Sequence, residues 1–197
     1  MKTIIKPAIY KILKLFYENR NSQLHLREIA RRTKINESSI TRHLNNMVKN
    51  KILKTIKDAN LKKFCINLKY IPIIFPIFDE EKLENLPLLR RNAIKEYIKN
   101  LKKKPVILVV FGSTAKNTFR ENSDLDLLEI INTKYDNEDV KKYVESQTSI
   151  RIQTFRLLEK DFKKELKLKK DNVVQAALKT GFPVFNKKYY YEVIYNE

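Results

Sequence analysis

The chain has 197 residues, 41 Lys/Arg against 23 Asp/Glu, a formal net charge of +18 and only two glycines. That length accommodates one large domain or two of about 100 residues, each able to bury an ordinary core without a covalent staple. One cysteine, Cys65, excludes an internal disulfide and two histidines exclude a zinc framework, which fits a reducing, cytoplasmic compartment.

The first residues, MKTIIKPAIYKILKLF, mix lysines into an apolar run and offer no small-residue cleavage site, so no signal peptide is expected. The longest uncharged apolar runs, YIPIIFPIF and PVILVVFG, fall short of the roughly 20 residues a membrane helix needs, and no membrane partner is expected. Charge is unevenly spread. Residues 1–70 carry 17 Lys/Arg against 4 Asp/Glu, whereas residues 105–197 carry 16 against 14. Two modules with different partners are the simplest account, and the basic one points to a polyanion.

In chain order, Ile5, Ile9, Ile12, Leu13 and Phe16 predict a first amphipathic helix within residues 3–19. Leu26, Ile29 and Ala30 predict a short second helix ending near Thr33. Asn36 is placed to cap a third, on which Ile40, Leu44, Met47 and Val48 face inward. Ser38, Arg42, Asn45 and Lys49 then fall on the opposite side, next to Ser39. This outward stripe of hydroxyl, guanidinium, amide and ammonium groups lacks carboxylates, and such groups reach base edges and phosphates. His43 borders the apolar face and is expected to pack rather than ligate. ILKTIK, a DAN turn and LKKFCINL predict a hairpin with Phe64, Ile66 and Leu68 on its inner side and Lys57, Lys62 and Lys63 flanking its tip. Cys65 is expected to be an inert strand thiol.

Residues 3–68 thus resemble the winged helix-turn-helix family. The resemblance implies that the helix from Glu37 to Asn50 is the recognition helix and the hairpin a wing on the phosphate backbone of double-stranded DNA, with a homodimer as the binding species.

Residues 71–104 read as an extended connector, because Pro72 and Pro76 oppose a strand or an intact helix, followed by a helix with Leu88, Leu89, Ala93, Tyr97 and Leu101 along one side. PVILVVFG then predicts a buried strand ended at Gly112, with Ser113 to Asn117 opening a helix whose free amides suit a phosphate. DLDLLEII predicts a second strand. Alternation puts Asp124 and Asp126 on one face, about 7 Å apart at their α-carbons, with Leu125 and Leu127 behind and Glu129 pointing away. Two such carboxylates can converge on Mg2+.

Gly112-Ser113 followed by Ser123-Asp124-Leu125-Asp126-Leu127 resembles the nucleotidyltransferase superfamily, in its minimal members, over about residues 105–186. The resemblance implies that Gly112, Ser113 and Lys116 hold the triphosphate of ATP or another NTP, and that Asp124 and Asp126 hold Mg2+ and serve as the catalytic pair. It also implies a possible acceptor hydroxyl on RNA or on a protein, since such enzymes are often antitoxins that modify a helical toxin partner. Two departures weaken catalysis. Thr114-Ala115-Lys116-Asn117 lacks the arginine and glycine of the pattern, and SIRIQTF, the strand expected to bring the third carboxylate, contains none. Arg151 or Gln153 would face the pair instead, with Arg151 able to substitute for a metal through a salt bridge. Glu145 lies upstream, in a register that would disturb the apolar alternation.

LLEKDFKKELKLKKDNVVQAALKTG predicts one or two helices with Gly181 as C-terminal cap, and FPVFN and YYYEVIY read as strand-like, with tyrosines 189 to 191 on an edge strand or, less simply, stacked on a base. The expected architecture is a mixture of α and β: a winged helix-turn-helix domain at 1–70, a connector and helix at 71–104, and a nucleotidyltransferase-like mixed sheet flanked by helices at 105–197. The expected function is a DNA-binding transcriptional regulator whose second domain binds a nucleotide or a protein, the alternative being an active Mg2+-dependent nucleotidyltransferase.

Overall fold

A computed structural model describes residues 5–195 and divides the chain into two compact units, residues 1–78 and 79–197. In the first unit, α1 (Pro7–Glu18) starts on a proline in its first turn, where no amide partner is lost. It is followed by β1 (Leu24–His25), α2 (Leu26–Thr33) and α3 (Glu37–Lys49). Asn36 caps α3, its side chain accepting from the Ser39 amide at 2.8 Å. His25 caps α2 through Nδ1, which accepts from the Glu28 amide at 3.1 Å. Ile12, Phe16, Ile29, Ile40, Leu44 and Met47 close the core between the helices, while Val48 is half-buried. β2 (Leu53–Asp58) and β3 (Leu61–Ile66) form the antiparallel hairpin, and β1 pairs with β3 on its other side. Leu68 leaves this ladder for a 3-10 turn and is exposed.

The connector expectation is corrected. Residues Ile71–Glu84 form a helix, α4, that contains Pro76. Pro72 sits in the first turn, and the bond lost at Pro76 is offset by burial of Ile71, Ile74, Phe75 and Phe78. Tyr17 holds this segment edge-on to Phe75, with centroids 5.3 Å apart, and tilted against Phe78 at 5.2 Å.

The second unit contains α5 (Leu88–Asn100), β4 (Ile107–Val110), α6 (Gly112–Lys116), β5 (Leu125–Ile131), α7 (Glu138–Thr148), β6 (Ile152–Leu158), α8 (Glu159–Leu168), α9 (Asn172–Thr180), β7 (Phe182–Phe185) and α10 (Lys187–Tyr195). Its sheet has the order β6-β5-β4-β7. β4 is antiparallel to both β5 and β7, and β5 and β6 are parallel, so the sheet is mixed and flanked by helices. Ala93, Ile94, Tyr97 and Leu101 of α5 and Val144 of α7 cover Leu108, Val110, Leu125, Leu127, Ile152, Phe182 and Val184. Leu88 and Leu89 do not join them. They are 60% and 58% exposed, and the inward stripe of α5 is Arg90, Ala93, Ile94 and Tyr97.

One further expectation changes. YYYEVIY is helical rather than strand-like, because Tyr190, Tyr191 and Val193 bury one side of α10, and Tyr191 donates to Asp79 at 2.9 Å. Gly181 is the C-cap of α9 as expected, its amide donating to the Ala177 carbonyl at 2.8 Å, with an extended backbone. A β-carbon there would sit 2.4 Å from the Ala177 carbonyl and 2.9 Å from Val109, so close packing requires the glycine.

Glu129, fully buried, points away from the aspartate pair as alternation requires. It accepts from Tyr97, from Asn137 at 3.0 Å and from Arg156 Nε at 2.8 Å, so its charge is paired inside the core. Burial and the Glu129 charge drive the Tyr97 hydroxyl far above its ordinary range and push Tyr135 up to about 12, so both stay neutral, and Tyr97 donates to Glu129.

Candidate functional site

β4 ends by turning sharply at Gly112, whose φ of +68° favours glycine. A β-carbon at this position would lie 2.1 Å from Asp126 Oδ2 and 3.0 Å from its Cγ. The Gly-Ser step and the second aspartate of the sequence pattern therefore meet, and they do so closely enough to exclude any side chain. The Phe111 amide donates to the Asp126 carbonyl at 3.1 Å, fixing the register at the contact. Ser113 is half-buried beside it, and Lys116 is exposed at the end of α6.

The turn before β5 is tied by Ser123, whose hydroxyl accepts from the Arg120 amide at 2.8 Å. Asp124 and Asp126 are both half-buried. Burial, then the neighbouring Asp124, push the Asp126 carboxyl above its ordinary range, and Arg90 opposes them. A folded-state pKa raised in this way means that the ionised form costs stability above it, while below the ordinary aspartate range both states are protonated and the cost vanishes. Asp126→Asn is therefore expected to raise the thermal midpoint at pH 7 by about 1–3 °C, the gain disappearing below about pH 3.5. Calorimetric scans at the two pH values check this.

Arg90 is the residue that sequence reasoning missed. It is 4% exposed, and its guanidinium spans both halves of the site. Nη1 donates to Thr114 Oγ1 at 2.9 Å and to the Asp124 carbonyl at 3.4 Å; Nη2 donates to the carbonyls of Ser123 at 2.7 Å and Arg120 at 3.2 Å. The Phe119 ring covers it at 4.2 Å. Desolvation pulls its pKa down, with Asp126 and Asp124 acting the other way. The available signal was a cation at the inward spacing i, i+3, i+4, i+7 shared with Ala93, Ile94 and Tyr97.

In the parallel ladder Gln153 stands level with Asp126, and Ile152 with Leu125. Arg151 donates no ion pair to either aspartate among the described residues. Its carbonyl accepts from the Leu125 amide at 2.8 Å, and its exposed side chain lines a cleft of about 440 Å3 with Asp124, Lys141, Glu145, Gln153 and Thr154. The expected Arg151 substitution is corrected accordingly: the cation acting on the pair is Arg90, which approaches from α5. Glu145 reaches this cleft from the last turn of α7, not from a strand, and accepts from the Ile152 amide at 2.7 Å. No group of three or more His, Cys, Asp or Glu side chains among the described residues is placed to hold a metal ion. The available donor set is thus the two aspartates.

In the first unit, Ser38, Arg42, Asn45 and Lys49 are exposed along one side of α3, and Ser39 is half-buried. Ser38 is engaged locally, donating to the Asn36 side chain at 2.9 Å. On the hairpin Lys57 and Lys62 lie directly opposite each other, while Lys63 pairs with Asp58 at 2.5 Å and is spent within the wing. Like charges facing across a ladder are destabilising, so the Lys57–Lys62 pair is a liability unless an anion shares it. His43 is half-buried, and burial raises the Cys65 thiol. No helix among the described residues is long and apolar enough to cross a membrane.

Comparison with known proteins agrees with this division. Residues 92–190 match the family described as Polymerase beta, Nucleotidyltransferase, and residues 7–56 match Winged helix-turn-helix DNA-binding. No curated protein matches significantly. Among solved structures, one titled "Crystal structure of the toxin-antitoxin with AMP-PNP" is similar at 17% identity and a TM-score of 0.39, over 53% of this chain and 80% of that one.

Proposed function

Because the chain belongs to the polymerase beta nucleotidyltransferase family and carries a winged helix-turn-helix DNA-binding domain ahead of it, we propose that it is a DNA-binding transcriptional regulator whose nucleotidyltransferase domain binds a nucleotide without efficient turnover. The observation that carries the regulator reading is the exposed, carboxylate-free side of α3 together with the facing Lys57 and Lys62 on the hairpin, the latter with its ammonium 5.5 Å over the Phe64 ring. Arg42, Asn45 and Lys49 enter the major groove of duplex DNA, with Ser38 and Ser39 at the helix start and Lys57 and Lys62 on flanking phosphates. Lys63 contributes charge, already partly neutralised by Asp58. A homodimer in the cytoplasm is the form that acts, and Ile73 and Ile77, exposed one turn apart on α4, are the apolar surface available to it.

In the second domain Gly112, Ser113 and Lys116 hold the triphosphate of ATP or a related nucleotide, and Asp124 and Asp126 hold its Mg2+. The metal neutralises phosphate charge when bound. Gln153, level with Asp126 where a further anionic ligand would help most, is what disfavours turnover. The active-enzyme alternative is supported by the intact contact between Gly112 and Asp126 and by Glu145 in the cleft beside Asp124. In that reading the acceptor is a hydroxyl on RNA or on a helical protein partner. Retardation of duplex DNA by the full chain, steeply salt-dependent and weakened in Arg42→Ala, tests the regulator reading. Salt-insensitive binding, or none at low salt, would exclude it.

A further inference from the structure

We propose that Arg90 is a positioning residue of the nucleotide site, a buried clasp that locks the aspartate-bearing turn onto the Gly-Ser helix. The inference rests on the site assignment above but stands on its own geometry. Helix α6 has only five residues and cannot hold its own orientation by internal hydrogen bonds. The turn from Phe119 to Asp124 lies outside regular structure, and the bonds that tie it, from the Ser123 amide to the Arg120 carbonyl at 3.0 Å and from the Arg120 amide to Ser123 Oγ at 2.8 Å, do not reach α6. One guanidinium supplies what both lack. It bonds Thr114 on α6 and three carbonyls of the turn, at Arg120, Ser123 and Asp124, and it stacks on Phe119. These partners are 24 to 34 residues away in sequence, so the clasp forms only when α5 has packed on the sheet.

A purely structural role explains this arrangement poorly. Arg90 has no carboxylate within ion-pair distance among the described residues, and burying a cation on neutral acceptors and an aromatic face is costly, the charges of Asp126 and Asp124 offsetting it only from farther away. Ala93 and Ile94, its neighbours on the same stripe, show that α5 packs by small and aliphatic groups, and an aliphatic residue at position 90 would serve the core at less cost. What an aliphatic residue cannot do is join α6 to the turn. The planar fork also matters, because four acceptors in two directions suit a guanidinium and not an ammonium.

The test uses the full chain with Arg90→Met, Arg90→Lys and Thr114→Val, read by amide hydrogen exchange and by calorimetric titration with ATP and Mg2+. In Arg90→Met, amides of residues 112–118 and 119–125 are expected to exchange at least 10-fold faster together, with β7 and α9 unchanged. ATP–Mg2+ affinity is expected to fall at least 10-fold, to recover partly with millimolar guanidinium, and not to recover in Arg90→Lys. Thr114→Val, which removes only the bond to α6, is expected to accelerate residues 112–118 alone and decides the matter even if Arg90→Met does not fold. Unchanged exchange in both segments, or acceleration spread evenly over the unit without guanidinium rescue, would overturn the proposal. Failure of the wild-type chain to bind ATP would instead refute the nucleotide assignment, leaving the exchange result to decide the role of Arg90.

Discussion

Gly112→Ala is expected to reduce ATP–Mg2+ affinity by at least about 10-fold, a loss of about 1.4 kcal/mol, and to lower stability by about 1–3 kcal/mol. Two effects add. The backbone at Gly112 has φ +68°, which an alanine tolerates poorly. The new methyl would also stand 2.1 Å from Asp126 Oδ2 and 3.0 Å from Asp126 Cγ, so the carboxylate must swing away or β4 and β5 must part. Parting is opposed by the antiparallel ladder, in which Val110 faces Leu127, and by the Phe111–Asp126 backbone bond. The carboxylate therefore moves, and the aspartate pair proposed to hold the metal is broken from the glycine side. Asp126→Ala combined with Gly112→Ala relieves the clash. The double mutant is accordingly expected to recover the stability lost to the clash, not that lost to the positive φ, and not the affinity. Equilibrium unfolding in urea and titration calorimetry separate the two.

The second large effect is on DNA. About five phosphate contacts, the number that Arg42, Lys49, Lys57, Lys62 and one further cation supply, give a slope of about −4.5 in log affinity against log salt and a loss of roughly 500-fold between 50 and 200 mM salt. Arg42→Ala is expected to cost about 1–3 kcal/mol if it reaches a base edge, and the loss should then depend on the duplex sequence. Lys57→Ala and Lys62→Ala are expected to weaken all duplexes alike, each reducing the slope by about 1. Lys57→Ala should also leave the hairpin no less stable, because it removes one of the facing charges and leaves the Lys62–Phe64 contact in place. Fluorescence anisotropy over a salt series, with two unrelated duplexes, measures all of these.

Local features were legible in the sequence. The three helices, the Asn36 cap, the hairpin and the opposed parity of Asp126 and Glu129 follow from local spacing, while the meeting of the Gly-Ser step with the aspartate strand is what the family resemblance implies. Features decided by packing were not. Prolines 72 and 76 argue against a helix, but Phe75 and Phe78 bury enough surface against Tyr10 and Tyr17 to form one. The aromatic and β-branched residues of YYYEVIY favour a strand, yet Tyr190, Tyr191 and Val193 have a helical face to bury. Leu88 and Leu89 suggested the inner side of α5, which in fact begins with a cation. The clasp at Arg90 and the arrival of Glu145 from a helix depend on partners distant in sequence or in another element; spacing on α5 marks Arg90 as inward but not what it bonds, and no local pattern marks Glu145. The sequence puts Arg151 and Gln153 on one strand, whereas β6 begins at Ile152, so that Arg151 precedes it in the lining of the cleft and Gln153 stands level with Asp126.

A nucleotide held at Gly112, Asp124 and Asp126 but not efficiently consumed is the claim on which the regulator reading of the second domain turns. Its most direct measurement is ATP–Mg2+ binding and pyrophosphate release on the same preparation, alongside Asp124→Ala. The account predicts saturable binding that Asp124→Ala weakens, with pyrophosphate release no faster than in that variant. Sustained release by the wild-type chain that disappears in Asp124→Ala would contradict it and establish catalysis.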